Sequence, residues 1–251
     1  MSELSHIKQW MQKLQPLALP LINNLSNIEH KHDGSPVTHV DKTIEQFLRD
    51  EIMSHYPADG IIGEEFSAHQ PNATRQWIID PIDGTRALIA GVPTFTTLIA
   101  LMGEVSAMFQ PVTGELWLSD GIETTYNGET IYCAKIETIA SATFSTTSPQ
   151  LFRDANKPII DKIMTQARTT QLGEDGYAYG KLAKGDVHLI VESGLKPYDF
   201  LPLLPIVHAA GGMITDWQGQ PLSLKSSGDV IAASSKTLHQ QAIALLNGHD
   251  T

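Results

Sequence analysis

Apolar residues recur at helical steps in some stretches of the chain and alternate or run together in others, so it reads as interleaved helices and strands. Ile44, Phe47, Leu48 and Ile52 repeat every three or four residues behind Thr38-His39-Val40-Asp41, which has the form of a capping box. Glu45 and Arg49, four apart, are expected to support the exposed face of that helix. Residues 3 to 29 read as an earlier helix, broken near Pro16 and Pro20. Residues 94 to 101 and 107 to 118 read as sheet strands, and Asn127-Gly128 as the turn of a hairpin. A strand over 141 to 147 follows, then a helix lined by Ile159, Ile160, Ile163, Met164 and Ala167, then an alternating strand over 186 to 192. Residues 199 to 210 read as a helix that starts at Asp199 and closes at Gly211-Gly212, with Pro205 kinking it or delaying its start. Met213 to Asp216 returns to sheet, and Leu238, Ala242, Ile243 and Leu246 mark a terminal helix.

Between these elements, two short apolar runs end in acids: Ile61-Ile62 before Gly63-Glu64-Glu65, and Trp77-Ile78-Ile79 before Asp80-Pro81-Ile82-Asp83-Gly84-Thr85. Asp80 is expected at the C-terminal end of a strand, where Pro81, lacking an N–H, stops the pairing. The Ile82 carbonyl is then free to face a cation. Asp83 can ligate metal while the Gly84 and Thr85 amides point at phosphate from a helix start. Hard divalent cations take oxygen ligands, and a pair of them neutralises a phosphate ester and activates water. Each piece has a plainer alternative. Asp80 to Thr85 could be an ordinary Asp-Gly turn, and Glu64-Glu65 a strand end with solvated acids. Asp41 could serve a helix dipole, and Asp199 could be a helix N-cap.

The net charge of -11 argues against a nucleic-acid footprint. It also predicts an active site that repels anionic substrates until cations reverse its sign. The single cysteine, Cys133, allows no internal disulfide and fits a reducing cytoplasm, with burial favoured over a nucleophile role. No run approaches a membrane span, and residues 1 to 15 lack the apolar core of a signal peptide, which predicts a cytoplasmic protein. The ten histidines form no spaced metal motif; His30 and His32 flank Lys31 in a polar loop.

Taken together, Pro36-Val37-Thr38-His39-Val40-Asp41, Ile62-Gly63-Glu64-Glu65, Trp77 to Thr85, and Tyr198-Asp199 followed by Ala209-Ala210-Gly211-Gly212 resemble the inositol monophosphatase superfamily of Mg²⁺-dependent, Li⁺-sensitive phosphatases. The resemblance implies a layered αβαβα sandwich working as one unit, with an N-terminal α+β half over about residues 1–135 and a C-terminal α/β half over 136–251. It implies two or three Mg²⁺ ions, with Mn²⁺ possible in the same oxygen ligands. Glu64, Asp80 and the Ile82 carbonyl would hold the first. Asp80, Asp83 and Asp199 would hold the second, with Asp80 bridging, and Glu64 would also lie near a weaker third. Thr85 and Asp41 match the pair that orients and deprotonates the attacking water, and Lys31 matches a basic residue of the active-site loop. Tyr198 stands where many members have Trp. A homodimer is the family's common state.

Asp33-Gly34-Ser35-Pro36-Val37-Thr38, Gly91 to Thr94, Thr143 to Pro149, Tyr177-Ala178-Tyr179-Gly180 and Gly194 to Asp199 are similar to the bacterial histidinol-phosphate phosphatase branch. That branch has Gly-Gly-Asp-Cys where this chain has Gly173-Glu174-Asp175-Gly176. The expected activity is therefore hydrolysis of L-histidinol phosphate in histidine synthesis. Inositol monophosphate, other polyol or sugar phosphates and 3'-phosphoadenosine phosphates are alternatives, and a non-catalytic regulatory protein on the same fold is the alternative of another class. Asp175 would pair with an amine such as histidinol's, or cap a helix. Glu192 would contact polar groups of the substrate, or simply end a strand, and Arg86 would lie at the pocket rim.

Overall fold

The structure, a computed structural model, describes residues 2–25, 28–30 and 36–248. The chain opens with α1 (Glu3–Asn23), a two-residue ribbon of β1 (Glu29–His30) and β2 (Pro36–Val37), and α2 (His39–His55). Next come β3 (Gly60–Gly63), β4 (Gln76–Asp83), α3 (Thr85–Ala90), β5 (Thr96–Leu101), β6 (Val105–Gln110), β7 (Glu115–Ser119), β8 (Thr124–Tyr126) and β9 (Glu129–Thr130). The remainder is β10 (Thr143–Thr146), α4 (Lys157–Gln166), β11 (Thr169–Leu172), α5 (Tyr177–Lys184), β12 (Leu189–Glu192), α6 (Pro197–Phe200), α7 (Leu203–Ala209), β13 (Met213–Asp216), β14 (Val230–Ala233) and α8 (Lys236–Leu246).

Two sheets organise these elements. The seven-stranded sheet runs β3-β4-β5-β6-β7-β8-β9, with only the β3–β4 pair parallel. The five-stranded sheet runs β11-β10-β12-β14-β13, parallel at β11-β10-β12 and antiparallel beyond. Strand alternation sorts their side chains into three apolar layers. Trp77, Ile79, Ile99 and Leu101 face Ile7, Trp10, Ile44 and Leu48 of α1 and α2. Leu98 and Met108 point the other way, against Tyr179 and Leu182 of α5 and Ile206 and Val207 of α7. Ile190, Val230 and Ala232 of the second sheet close that middle layer, while their neighbours Leu189, Val191, Ile231 and Ala233 face α4 and α8. The result is the expected αβαβα stack. No helix among the described residues is long and apolar enough to cross a membrane.

Several local expectations are corrected. α1 is continuous through Pro16 and Pro20. Both prolines are exposed and four apart, so the carbonyls they leave without a helical partner face solvent. Glu45 and Arg49 are buried, not exposed, because residues 64–66 fold over that face of α2. The 199–210 segment is two helices, α6 and α7, and Asp199 lies at the third position of α6 with Lys196 as N-cap. Strand β4 does not stop at Asp80. Its pairing with β5 skips Pro81 and Ile82 and resumes at Asp83, opposite Thr96. The Asn127-Gly128 turn is as expected, with both residues at positive φ.

Candidate active site

The interruption in β4 is what builds the site. Asp80 is the last residue paired in register with β5 before the shift, and Asp83 is the first after it. The stranded Pro81 carbonyl is satisfied by the Thr97 hydroxyl at 2.8 Å. Two carboxylates are thus delivered at the end of one strand. The third comes from the other half of the chain: α6 leans on β4 and brings Asp199 across. Carboxylate oxygens of Asp80, Asp83 and Asp199 all lie within 4.8 Å of one another.

These three line a cleft of about 210 Å³ together with Glu64, Ile82, Gly84, Thr85, Arg86, Thr147, Leu151 and Asp175. Glu64 stands on the Asp80 side, outside the close triad. Gly84 sits at φ 89°, a left-handed conformation that glycine adopts without strain, and starts α3. A Cβ there would also lie 3.2 Å from an Asp175 oxygen. Asp41 stands behind the wall. Its Oδ2 accepts from the Thr38 amide (2.9 Å) and hydroxyl (2.5 Å), the reciprocal capping box expected from the sequence. Its Oδ1 accepts from the Thr85 hydroxyl at 3.2 Å, and that hydroxyl also lies 3.1 Å from the Ile82 carbonyl.

Asp175 reaches the cleft from a residue at φ 44°, just ahead of Gly176, the N-cap of α5; it does not cap that helix itself. The Gly176 amide donates to Asp83. Glu192 is set back from the wall, where it accepts from the Thr147 amide (2.6 Å) and hydroxyl (3.1 Å). The same Thr147 hydroxyl lies 3.4 Å from Asp175 Oδ1. Thr147 and Leu151 are wall residues to which sequence reasoning assigned no role; the Thr143 to Pro149 motif contained the first and carried no signal for the second. Lys31 lies outside the described residues. Cys133 is away from the cleft, and burial pushes its thiol up to about 12.

The electrostatics are those of a site short of positive charge. Burial, then the charges of Glu64, Asp83 and Asp199, push the Asp80 carboxyl well above the usual range, and it shares a hydrogen bond with Asp199. Burial, then Asp175 and Asp199, does the same to Asp83. Burial raises Asp199 to about 6 and Glu192 to about 8. It also raises Asp175, against the pull of Thr147 and Arg86, and Asp41, against its bonds from Thr38. Buried Oδ1 of Asp80 has no hydrogen-bond partner among the described residues. Crowded carboxylates, an orphaned oxygen and an all-oxygen donor set together fit hard divalent cations.

A pH dependence follows. Glu192 binds its proton more tightly folded than unfolded, so its contribution to stability falls as pH rises from about 4.5 to about 8. Glu192→Gln keeps an acceptor for Thr147 and removes the titration. In EDTA its melting temperature is expected to gain on wild type between pH 5 and pH 8; a constant difference would place the Glu192 carboxyl in the ordinary range.

A layered α/β fold gathers carboxylates from both halves of the chain into one small cleft, and the chain's family and its histidinol-phosphatase relatives make it a hydrolase of phosphoric monoesters. The chain belongs to the inositol monophosphatase family, which it matches over residues 4–251, and that family is generally metal-dependent. It is 38% identical over 237 residues to the chloroplastic bifunctional phosphatase IMPL2 of Arabidopsis thaliana, covering 89% of this chain and 68% of that one. It is 34% identical to a histidinol-phosphatase of Chlorobaculum parvum, with 80% of each chain covered. Among solved structures, an inositol monophosphatase from Zymomonas mobilis superposes with TM-score 0.85 at 39% identity, over 98% of this chain and 100% of that one.

Proposed function

We propose that the chain hydrolyses L-histidinol phosphate to L-histidinol and phosphate, as a step of histidine synthesis in the cytoplasm. The observation that carries this is Asp175, a half-buried carboxylate presented at the cleft wall beside the close triad rather than within it. A carboxylate so placed suits a cationic amine on the ester's organic part and offers little to a neutral polyol. Leu151, also on the wall, gives an apolar surface for a ring. The similarity to named histidinol-phosphatases supports the same reading.

We assign Glu64, Asp80 and the Ile82 carbonyl to one Mg²⁺, and Asp80, Asp83 and Asp199 to a second, with Mn²⁺ able to replace either. A third, weaker ion near Glu64 and sensitivity to Li⁺ follow from the family. Bound cations supply neutralisation of the phosphate charge and acidification of water. The chain's own residues do the rest. Thr85 orients the attacking water, and Asp41 receives the proton passed through the Thr85 hydroxyl. Water itself is the nucleophile and attacks in line with the ester oxygen, which leaves as the alcohol, so no phosphoenzyme forms. Gly84 and Thr85 amides and Arg86 contact the phosphate side, a role that the family resemblance also gives to Lys31. Asp175 takes the amine, and Glu192 fixes Thr147 beside it. Because Asp199 completes the site from the second half, both halves work as one unit. A homodimer is the expected state.

Phosphate release with and without Mg²⁺, from histidinol phosphate, inositol monophosphate and 3'-phosphoadenosine 5'-phosphate in parallel, tests this. A strong preference for histidinol phosphate is expected. Asp175→Asn should lower kcat/KM for that ester about 10- to 100-fold, the worth of one charge-assisted bond, and leave the other esters nearly unchanged. Equal losses on all three would remove the amine assignment. Preference for another ester in the wild type would keep the phosphatase and discard the histidine pathway.

A further inference from the structure

Glu45 and Arg49 form the most deeply buried ion pair among the described residues, with side chains 0% and 7% exposed and Arg49 Nε 2.8 Å from Glu45 Oε1. Replacing such a pair by apolar residues of similar volume often leaves stability unchanged or improved. Its bonds say what it does here. Glu45 Oε2 accepts from the Glu65 amide at 2.7 Å, and Oε1 from the Phe66 amide at 3.3 Å. The Arg49 Nη2 donates to the Phe66 carbonyl at 3.0 Å, and its guanidinium lies 5.7 Å from the centre of the Phe66 ring. On the other side of Glu64, Gly63 is paired in register with Ile79, the residue before Asp80. Gly63 also packs so closely on the Glu45 carboxylate that a Cβ there would overlap it. Glu64 is therefore gripped on both flanks, by the β3–β4 ladder before it and by the Glu45–Arg49 pair after it.

We propose that Glu45, locked by Arg49, is a positioning residue that sets where Glu64 stands against Asp80 and so governs cation uptake on that side of the cleft. The proposal rests on the metal-dependent reading above. Helix α2 then carries two buried carboxylates one turn apart with separate duties. Asp41 faces Thr85, whereas Glu45 faces the backbone that follows Glu64.

The test is calorimetric titration of Mn²⁺ into the EDTA-stripped full chain: wild type, Glu45→Gln, Arg49→Lys, and the double variant Glu45→Leu/Arg49→Met. Arg49→Lys keeps the buried charges paired, so it reports even where Glu45→Gln fails to fold. Mn²⁺ affinity is expected to fall about 10- to 100-fold in the variants, the usual result of removing the partner that orients a metal ligand. The metal-free melting temperature of the double variant should fall only modestly, because the Glu65 and Phe66 backbone groups it frees lie in a part-exposed segment and can turn to water, and turnover should recover as Mn²⁺ is raised. Lower melting temperatures with unchanged Mn²⁺ affinity would make the pair purely structural and overturn the proposal. A wild type that takes up no Mn²⁺ overturns both readings, whereas wild-type uptake matched by every variant overturns this one alone.

Discussion

Asp83→Asn is expected to lower kcat/KM by about 10³-fold or more, a loss of about 4 kcal/mol of transition-state stabilisation, while making the metal-free protein melt higher than wild type. Both effects have one cause. Asp83 is half-buried beside Asp175 and Asp199, and loss of solvent, then those charges, raise its carboxyl well above the usual range. Asn mimics the protonated acid and keeps an oxygen to accept the Gly176 amide. It removes the repulsion and with it the attraction for a cation. A carboxyl raised in the folded state weakens folding as pH climbs from its ordinary value toward the raised one. The gain in melting temperature should therefore be small at pH 5, larger at pH 8, and erased by Mg²⁺, which stabilises only the wild type. Phosphate release and melting curves in EDTA and in Mg²⁺ check each part. Full activity would sink the assignment of Asp83 as a ligand. Lower stability in EDTA would mean that its carboxylate holds the fold together rather than straining it.

The residues legible in the sequence were those whose chemistry and local geometry coincide. Asp80 and Asp83 are announced by an apolar run and a proline, and Thr38 and Asp41 by the spacing of a capping box. Asn127-Gly128 states its turn because few other pairs accept two positive φ angles. What stayed hidden depends on partners far away in the chain. Glu45 and Arg49 have the spacing of a solvent-facing helical pair, and only the segment folded over them makes them interior. Strand β11, Thr169 to Leu172, is a mostly exposed edge without apolar alternation, so no pattern marks it. For Asp175 the sequence alone predicts a helix cap or an amine partner. Its reach into the cleft depends on a backbone angle that the sequence does not print, and on Thr147 from a different strand end. Pro16 and Pro20 act in the opposite direction: they predict a break, and solvent-facing positions tolerate the ring.

Thr85→Ala is expected to lower kcat by at least about 10²-fold with KM changed little, the signature of a group that acts on the proton in flight rather than on substrate binding. The geometry separates the two roles. Asp41 spends one oxygen on the Thr38 amide and hydroxyl, which anchor it, and offers the other to Thr85 at 3.2 Å. Through that bond the Thr85 hydroxyl can pass its own proton inward while its lone pair receives one from water. Asp41 does not line the cleft, so without the hydroxyl it has no route to a water there. Burial raises the Asp41 carboxyl, which moves it toward the proton affinity that a base working near neutral pH requires. Thr85→Ser keeps the hydroxyl and should retain most of the rate, which distinguishes loss of the relay from a disturbed start of α3. Steady-state kinetics of the two variants, each at saturating Mg²⁺, decide the matter. A rise in KM at unchanged kcat would make Thr85 a binding residue and leave Asp41 with only its helix to cap.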